Sequence, residues 1–202
     1  ASLSVDLAPG SYVVNISNPL TNESLTQSIK VVKRITKNND LTMFYGAGKY
    51  YKVKVVNDHG KVQANLKVTF KVNGKTYYRY TDSNGYASLK ISLTPKKYTI
   101  TATYKGYKVS NKITVKKTII AYDKTVKKGK TIKFTAKLLS SKGKILKYKK
   151  LTIKFKGKKY TVKTNSKGIA TLKITKKYRI GRYTITTSYG SAKISNKITI
   201  IK

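Results

Sequence analysis

Thr81-Asp82-Ser83-Asn84-Gly85-Tyr86-Ala87-Ser88-Leu89-Lys90-Ile91 returns 83 residues later as Thr164-Asn165-Ser166-Lys167-Gly168-Ile169-Ala170-Thr171-Leu172-Lys173-Ile174. Both copies read T-x-S-x-G-x-A-x-L-K-I. Asp or Asn followed by Gly supplies a tight turn in which the glycine takes positive φ. Ala, Leu and Ile then alternate with polar residues, the period of a half-buried strand. A turn that feeds a strand, present twice, marks an array of repeats.

The repeat extends in both directions. Tyr98-Thr99-Ile100-Thr101-Ala102-Thr103-Tyr104 is echoed by Tyr183-Thr184-Ile185-Thr186-Thr187-Ser188-Tyr189, 85 residues on. Ser110-Asn111-Lys112-Ile113-Thr114-Val115 is echoed by Ser195-Asn196-Lys197-Ile198-Thr199-Ile200. Upstream, Gly48-Lys49 matches Gly129-Lys130 at an offset of 81, so two small loop insertions are expected. Leu7 to Val14 resembles Leu93 to Ile100, and Gln27 to Val31 resembles Asn111 to Val115. Residues 1–34 therefore read as the last two strands of an earlier, truncated copy. Two full copies follow, 35–115 and 116–202, with short linkers near 33–40 and 116–120.

Val, Ile, Thr and Tyr dominate, which predicts an all-β chain. Each copy is long enough for a small core of its own. No apolar run is long enough to cross a membrane and no secretory leader is recognisable, so the chain reads as a piece of a larger protein. The absence of cysteine excludes disulfides and thiolate metal sites. The formal net charge is +39 and it is graded. Residues 116–202 hold twenty-seven basic groups against Asp123 alone, a net of +26. Residues 35–115 hold fifteen against three. A bias toward Lys, Asn, Ile and Tyr, as an AT-rich genome imposes, accounts for the lysines but not for the scarcity of acids.

Strands are predicted at 41–45, 49–57, 65–72, 75–81, 86–92, 97–104 and 109–116. Asn73-Gly74 and Lys156-Gly157 sit where type I′ hairpin turns are expected. Seven short strands with regular turns argue for a Greek-key sandwich. Val68, Phe70 and Val72 should face its core, with Leu151, Ile153 and Phe155 in the next copy. Leu89, Ile91, Leu172 and Ile174 supply the facing layer. Tyr98 and Tyr183 open the penultimate strand, the place of a tyrosine corner, and Tyr12 holds that place in the fragment.

The pattern T-D-S-N-G-x-A, then L-x-P-x-x-Y-x-I, then S-N-K-I-T-V resembles the Ig-like repeats of archaeal adhesin-like proteins from methanogens. It is similar, more loosely, to bacterial Ig-like repeats of invasin type. The resemblance implies tandem Ig-like β-sandwiches in a stalk on the cell surface, in contact with other cells. In the last copy Asn165 replaces Asp82, and Leu93-Thr94-Pro95 becomes Lys176-Lys177-Tyr178. That argues against a required ligand or catalytic role for Asp82.

Several chemistries are weighed against this frame. Catalysis is not expected: the one histidine, His59, lies in a turn, and carboxylates are few. Asp82-Ser83-Asn84-Gly85 looks like the start of a calcium loop but lacks the closing Glu. Ig-like surface domains of other lineages join a first-strand Lys to a last-strand Asn with the help of a buried acid. Lys52 with Asn111 and Lys133 with Asn196 are the pairs to test here, and no acid falls mid-strand in a shared position. Asn15-Ile16-Ser17 and Asn22-Glu23-Ser24 are glycosylation sequons. Lysines interleaved with tyrosines could meet nucleic acid, but base reading favours Arg, and only four arginines are present. The expected function is therefore a stalk that spaces and presents a distal binding region, with a cell-wall retention module acting through its basic surface as the alternative and a nucleic-acid binder as the lesser one, and in each case without cofactor, metal or small-molecule substrate. Its expected partner is an anionic wall polymer or an acidic glycan on another cell, held by diffuse charge.

Overall fold

A computed structural model describes residues 7–202, and among them every regular element is a strand. β1 (Gly10–Ser17) and β2 (Ser24–Val31) form an antiparallel hairpin. The first sandwich comprises β3 (Ile35–Thr36), β4 (Leu41–Phe44), β5 (Tyr50–Val55), β6 (Lys67–Val72), β7 (Lys75–Tyr80), β8 (Tyr86–Lys90), β9 (Lys97–Tyr104) and β10 (Tyr107–Lys116). One sheet runs β3-β5-β8 and the other β4-β10-β9-β6-β7. The second sandwich repeats the plan with β11 (Ile119–Ile120), β12 (Lys124–Lys127), β13 (Ile132–Leu138), β14 (Lys150–Phe155), β15 (Lys158–Lys163), β16 (Ile169–Ile174), β17 (Gly181–Tyr189) and β18 (Ala192–Ile201). Its sheets run β11-β13-β16 and β12-β18-β17-β14-β15.

Alternation puts the expected residues inside. Val68, Phe70, Val72, Leu89 and Ile91 are buried in the first sandwich, with Tyr51 edge-on to Phe70 at 5.8 Å between ring centres across the two sheets. Leu151, Ile153, Phe155, Leu172 and Ile174 join one core in the second, together with Phe134, Ile185 and Ile198. Burying each such aliphatic side chain contributes about 1.5–3 kcal/mol. Both hairpin turns expected from the sequence have positive φ at both positions: 49° and 73° at Asn73 and Gly74, 47° and 75° at Lys156 and Gly157. That pairing is the type I′ geometry, whose twist matches the flanking strands.

Two expectations need correction. The segments 33–40 and 116–120 are not plain linkers. Each contains a two-residue strand, β3 pairing with β5 and β11 with β13, and buries an isoleucine, Ile35 or Ile119. A two-residue strand is too short to show alternation, so only its register in three dimensions reveals it. The offset between copies also does not start at 81. Tyr45 N–H donates to Lys116 O, and Lys128 N–H to Ile201 O. The turn glycines that follow are Gly46 (φ 77°) and Gly129 (φ 82°), at offset 83. Gly48 matches Gly129 only because a lysine follows each. Downstream of β3 and β11, whose Ile35 and Ile119 stand 84 apart, one change of offset remains, to 85, between β8 and β9 and their counterparts: Val72 faces Ile100 while Phe155 faces Ile185.

Candidate functional site

Three arrangements of polar residues recur in both sandwiches. The recurring turn comes first. Asp82 Oδ1 accepts from Asn84 N–H and Tyr86 N–H, each at 2.9 Å. Asn165 Oδ1 accepts from Lys167 N–H at 2.9 Å and Ile169 N–H at 3.0 Å. The turn needs an oxygen acceptor, not a charge, so Asp and Asn are interchangeable. Gly85 (φ 76°) passes under β5: a Cβ there would stand 2.8 Å from Val55 O. At Gly168 (φ 72°) it would stand 2.5 Å from Ile145 Cγ2. Each glycine carbonyl then accepts from the strand beneath, Val55 N–H or Leu138 N–H, at 2.8 Å.

The tyrosines share a second contact. Tyr98 donates its hydroxyl proton to Thr94 O at 2.9 Å, Tyr183 to Arg179 O at 2.8 Å, and Tyr12 to Ala8 O at 2.7 Å. Each reaches back four residues and closes the loop that leads into its strand, the geometry of a tyrosine corner. The hairpin carries the same register as the last two strands of the second sandwich: Tyr12 faces Ile29 as Tyr183 faces Ile198.

The third shared element was not visible in the sequence. β4 pairs with β10 in parallel, Leu41 against Ile113 through Phe44 against Lys116. β12 pairs with β18 likewise, Lys124 against Ile198 through Lys127 against Ile201. An aspartate stands just before each parallel pair. Asp40 Oδ1 accepts from Lys112 N–H at 2.8 Å and from Asn111 Nδ2 at 3.3 Å. Asp123 Oδ1 accepts from Lys197 N–H at 2.9 Å and from Asn196 Nδ2 at 3.1 Å. The Lys112 and Lys197 N–H groups, seconded by the Asn side chains, hold both carboxyls below the usual carboxylate range. The Asn amides also donate to the chain ahead of the strand, Asn111 to Asn38 O and Asn196 to Ala121 O. A sequence search limited to mid-strand acids passes over both aspartates, because each sits one residue outside its strand.

The two clamps differ at one atom. Asn111 Oδ1 accepts from the Tyr51 hydroxyl at 2.7 Å and from Asn38 Nδ2 at 3.0 Å. In the second sandwich the corresponding residues are Phe134 and Ala121, which have no such donors. Asn196 Oδ1 is buried with no protein partner among the described residues. Burial, with the Asp40 charge second, pushes the Tyr51 hydroxyl up to about 12.

Lys52 and Lys133 do not meet the asparagines. Both side chains are exposed, one residue out of phase with the buried Tyr51 and Phe134. They are also not counterparts: at offset 83 Lys52 matches Thr135, and Lys133 matches Tyr50. The proposed Lys–Asn crosslink is therefore corrected. Asn111 meets Tyr51 instead, because successive side chains of a strand point to opposite faces. His59 lies exposed in a turn whose Asp58 ion-pairs with Arg34 and Lys105. Asn15 lies exposed on β1 and accepts from the Thr26 hydroxyl at 3.0 Å, and Asn22 (φ 56°) lies exposed in the β1–β2 turn. No group of three potential metal ligands occurs among the described residues.

These features define tandem Ig-like β-sandwiches: two sheets per unit, a first strand divided between them, and a tyrosine corner on the penultimate strand. No family model and no curated protein matches the sequence. Among solved structures the chain is similar to the I9–I11 tandem of titin, at 14% identity and a TM-score of 0.42, covering 100% of this chain and 86% of that one. It is similar to fibronectin(III)-like modules of Clostridium thermocellum CbhA, at 16% identity and a TM-score of 0.30, covering 82% and 93%. It is also similar to the Yersinia pseudotuberculosis adhesin InvE, at 14% identity and a TM-score of 0.33, covering 83% of this chain and 58% of that one. The likeness is one of fold.

Proposed function

We propose that this chain is a force-bearing segment of the stalk of an extracellular, cell-surface adhesin-like protein. The stalk spaces and presents a binding region carried elsewhere. The observation behind this reading is the parallel pairing of the first and last long strands of each sandwich. Tension enters at the N-terminal end of β4 and leaves at the C-terminal end of β10. In parallel strands those two pulls are opposed along the strand axis. The load then falls on all the bonds of the pair together, whereas an antiparallel pair with both ends on one side would open one bond at a time. Asp40 and Asp123 add a fixed point at the loaded end, because each ties the segment before the first strand to the backbone of the last.

Single-molecule extension of the whole chain from its two ends tests this. Two discrete unfolding events are expected. Each releases 76 to 78 residues (41–116 or 124–201), a gain of roughly 250 Å at about 3.5 Å per residue. Tyr45→Pro and Lys128→Pro each delete one N–H donor to the last strand. Each should lower the force of one event more than it lowers the thermal midpoint. Smooth extension at low force, without discrete events, would remove the basis for the proposal.

A further inference from the structure

The five-stranded sheet of the second sandwich has one face in the core and one toward solvent. Register fixes who shares the outward face. On β14 these are Lys150, Thr152 and Lys154, and directly opposite on β15 are Lys163, Thr161 and Lys159. β17 continues the face with Ser188 beside Thr152 and Thr186 beside Lys154. All four lysines are exposed. Two lysine pairs thus stand directly opposite each other on this face, as Lys133 and Lys173 do on the other sheet, and like charges in that relation are destabilising.

The fold does not require them. At the same register the first sandwich has Lys67 opposite Tyr80, Thr69 opposite Tyr78 and Lys71 opposite Thr76. There the Lys67 amine sits 4.6 Å over the Tyr78 ring. The second sandwich has exchanged two tyrosines and a threonine for Lys163, Thr161 and Lys159. Edge protection explains lysines on β15, since lysine discourages pairing of an exposed edge. It does not explain why each faces another lysine on the interior strand. No carboxylate compensates: Asp123, the one acid of residues 116–202, is occupied by Asn196 and the Lys197 amide.

The chemistry narrows the partner. Neighbouring strands lie about 4.8 Å apart and alternate residues about 6.8 Å apart, so cations and hydroxyls form a flat lattice. No aromatic stands among the six β14–β15 residues of that lattice; the one at its edge, Tyr148, has the Lys163 amine 5.7 Å over its ring, so the face itself offers no row of platforms on which bases would stack. The cations are lysines, which act as point charges and do not form the bidentate fork that reads guanine. A polymer with regularly spaced carboxylates and abundant hydroxyls matches both parts. We propose that the outward face of β14 and β15 docks an acidic polysaccharide, with the lysines on its carboxylates and Thr152 and Thr161 on its hydroxyls. This is independent of force transmission: the face can be emptied of charge without touching the parallel strand pair.

The test uses the full chain, polygalacturonate as the probe, and neutral dextran and duplex DNA for comparison. One variant carries K150Q, K154Q, K159Q and K163Q. A second, with the same net charge, carries K142Q, K144Q, K147Q and K167Q in exposed loops. Polygalacturonate should bind at about 0.15 M salt, and the face variant should bind on the order of tenfold or more weakly. The loop variant should stay within about twofold. Relief of the lysine pairs should leave the face variant's thermal midpoint at or above that of the parent, so weak binding is not loss of fold. Equal losses in the two variants would overturn the proposal, as would DNA binding as tight as polygalacturonate or no polygalacturonate binding at that salt.

Discussion

The difference between the two asparagine clamps gives the sharpest test of the structure. Phe134→Tyr adds a hydroxyl where Tyr51 already has one, because both residues lie four before the strand position whose N–H donates to the glycine carbonyl, Val55 or Leu138. The Asn196 amide is oriented as Asn111 is, with Nδ2 on Asp123 and on a backbone carbonyl, so its Oδ1 points at the new group. A hydrogen bond of this kind contributes about 0.5–1.5 kcal/mol net, and relief of a buried unpaired acceptor adds to it. A gain of about 1 kcal/mol raises the midpoint of a domain this size by roughly 4–8 °C. Tyr51→Phe should cost a comparable amount in the first sandwich, softened because Asn38 Nδ2 still reaches Asn111 Oδ1. Calorimetry of the whole chain, with each variant moving one transition, reads both. Alkali gives a second readout. The folded Tyr51 hydroxyl is pushed up to about 12, so its neutral form is favoured by folding. That contribution is complete below the unfolded value of about 10 and is lost as pH rises from there toward 12. Tyr51→Phe should remove this part of the alkaline loss. A Phe134→Tyr variant that is no more stable than its parent would refute the assignment of the orphaned acceptor.

Gly85→Ala and Gly168→Ala should each destabilise one sandwich by about 1–3 kcal/mol, from positive φ and a Cβ thrust at the neighbouring strand, as read by denaturant titration. Asp82→Asn should be close to neutral while Asp82→Ala loses both turn acceptors, since Asn165 already performs the task uncharged. Asp40 and Asp123 have lowered folded values, so their contribution is present above an unfolded value of about 3.9 and is lost as pH falls below it. Thermal midpoints measured from pH 5 down to 2 should fall for the parent and fall less for Asp40→Asn with Asp123→Asn.

Much of the fold was legible because it is written locally. The Asp/Asn-x-x-Gly turn and the alternation after it need only eleven consecutive residues, and their recurrence fixed the core phase of Leu89, Ile91, Leu172 and Ile174. The tyrosine corner was legible for the same reason: its acceptor lies four residues upstream. What escaped was written across distance. Asp40 meets Lys112 and Asp123 meets Lys197 more than seventy residues away, and close to each aspartate only Thr42 and Thr125 match. The short strands at Ile35 and Ile119 are defined by partners in β5 and β13, not by a pattern of their own. Matching letters even misled at Gly48, where a glycine followed by lysine outweighed the hydrogen bond that selects Gly46.

The lysine pairs belong to this second kind of information, and they show how register turns composition into a surface. Read along the chain, Lys150, Lys154, Lys159 and Lys163 are four of many lysines, and compositional bias accounts for any one of them. Folded, they become two pairs opposed across one ladder, at positions where the companion sandwich holds tyrosine and threonine. Bias would scatter lysine over exposed positions without regard to cross-strand neighbours, and stability disfavours opposed pairs wherever they fall, Lys133 opposite Lys173 on the other sheet included. The second sandwich is the more basic, with twenty-seven basic residues in 116–202 against fifteen in 35–115, and it alone of the two has opposed lysines at these ladder positions. What sets the β14–β15 face apart is that two such pairs flank two threonines on one surface, and an anion docked there as proposed would relieve the repulsion of both pairs at once.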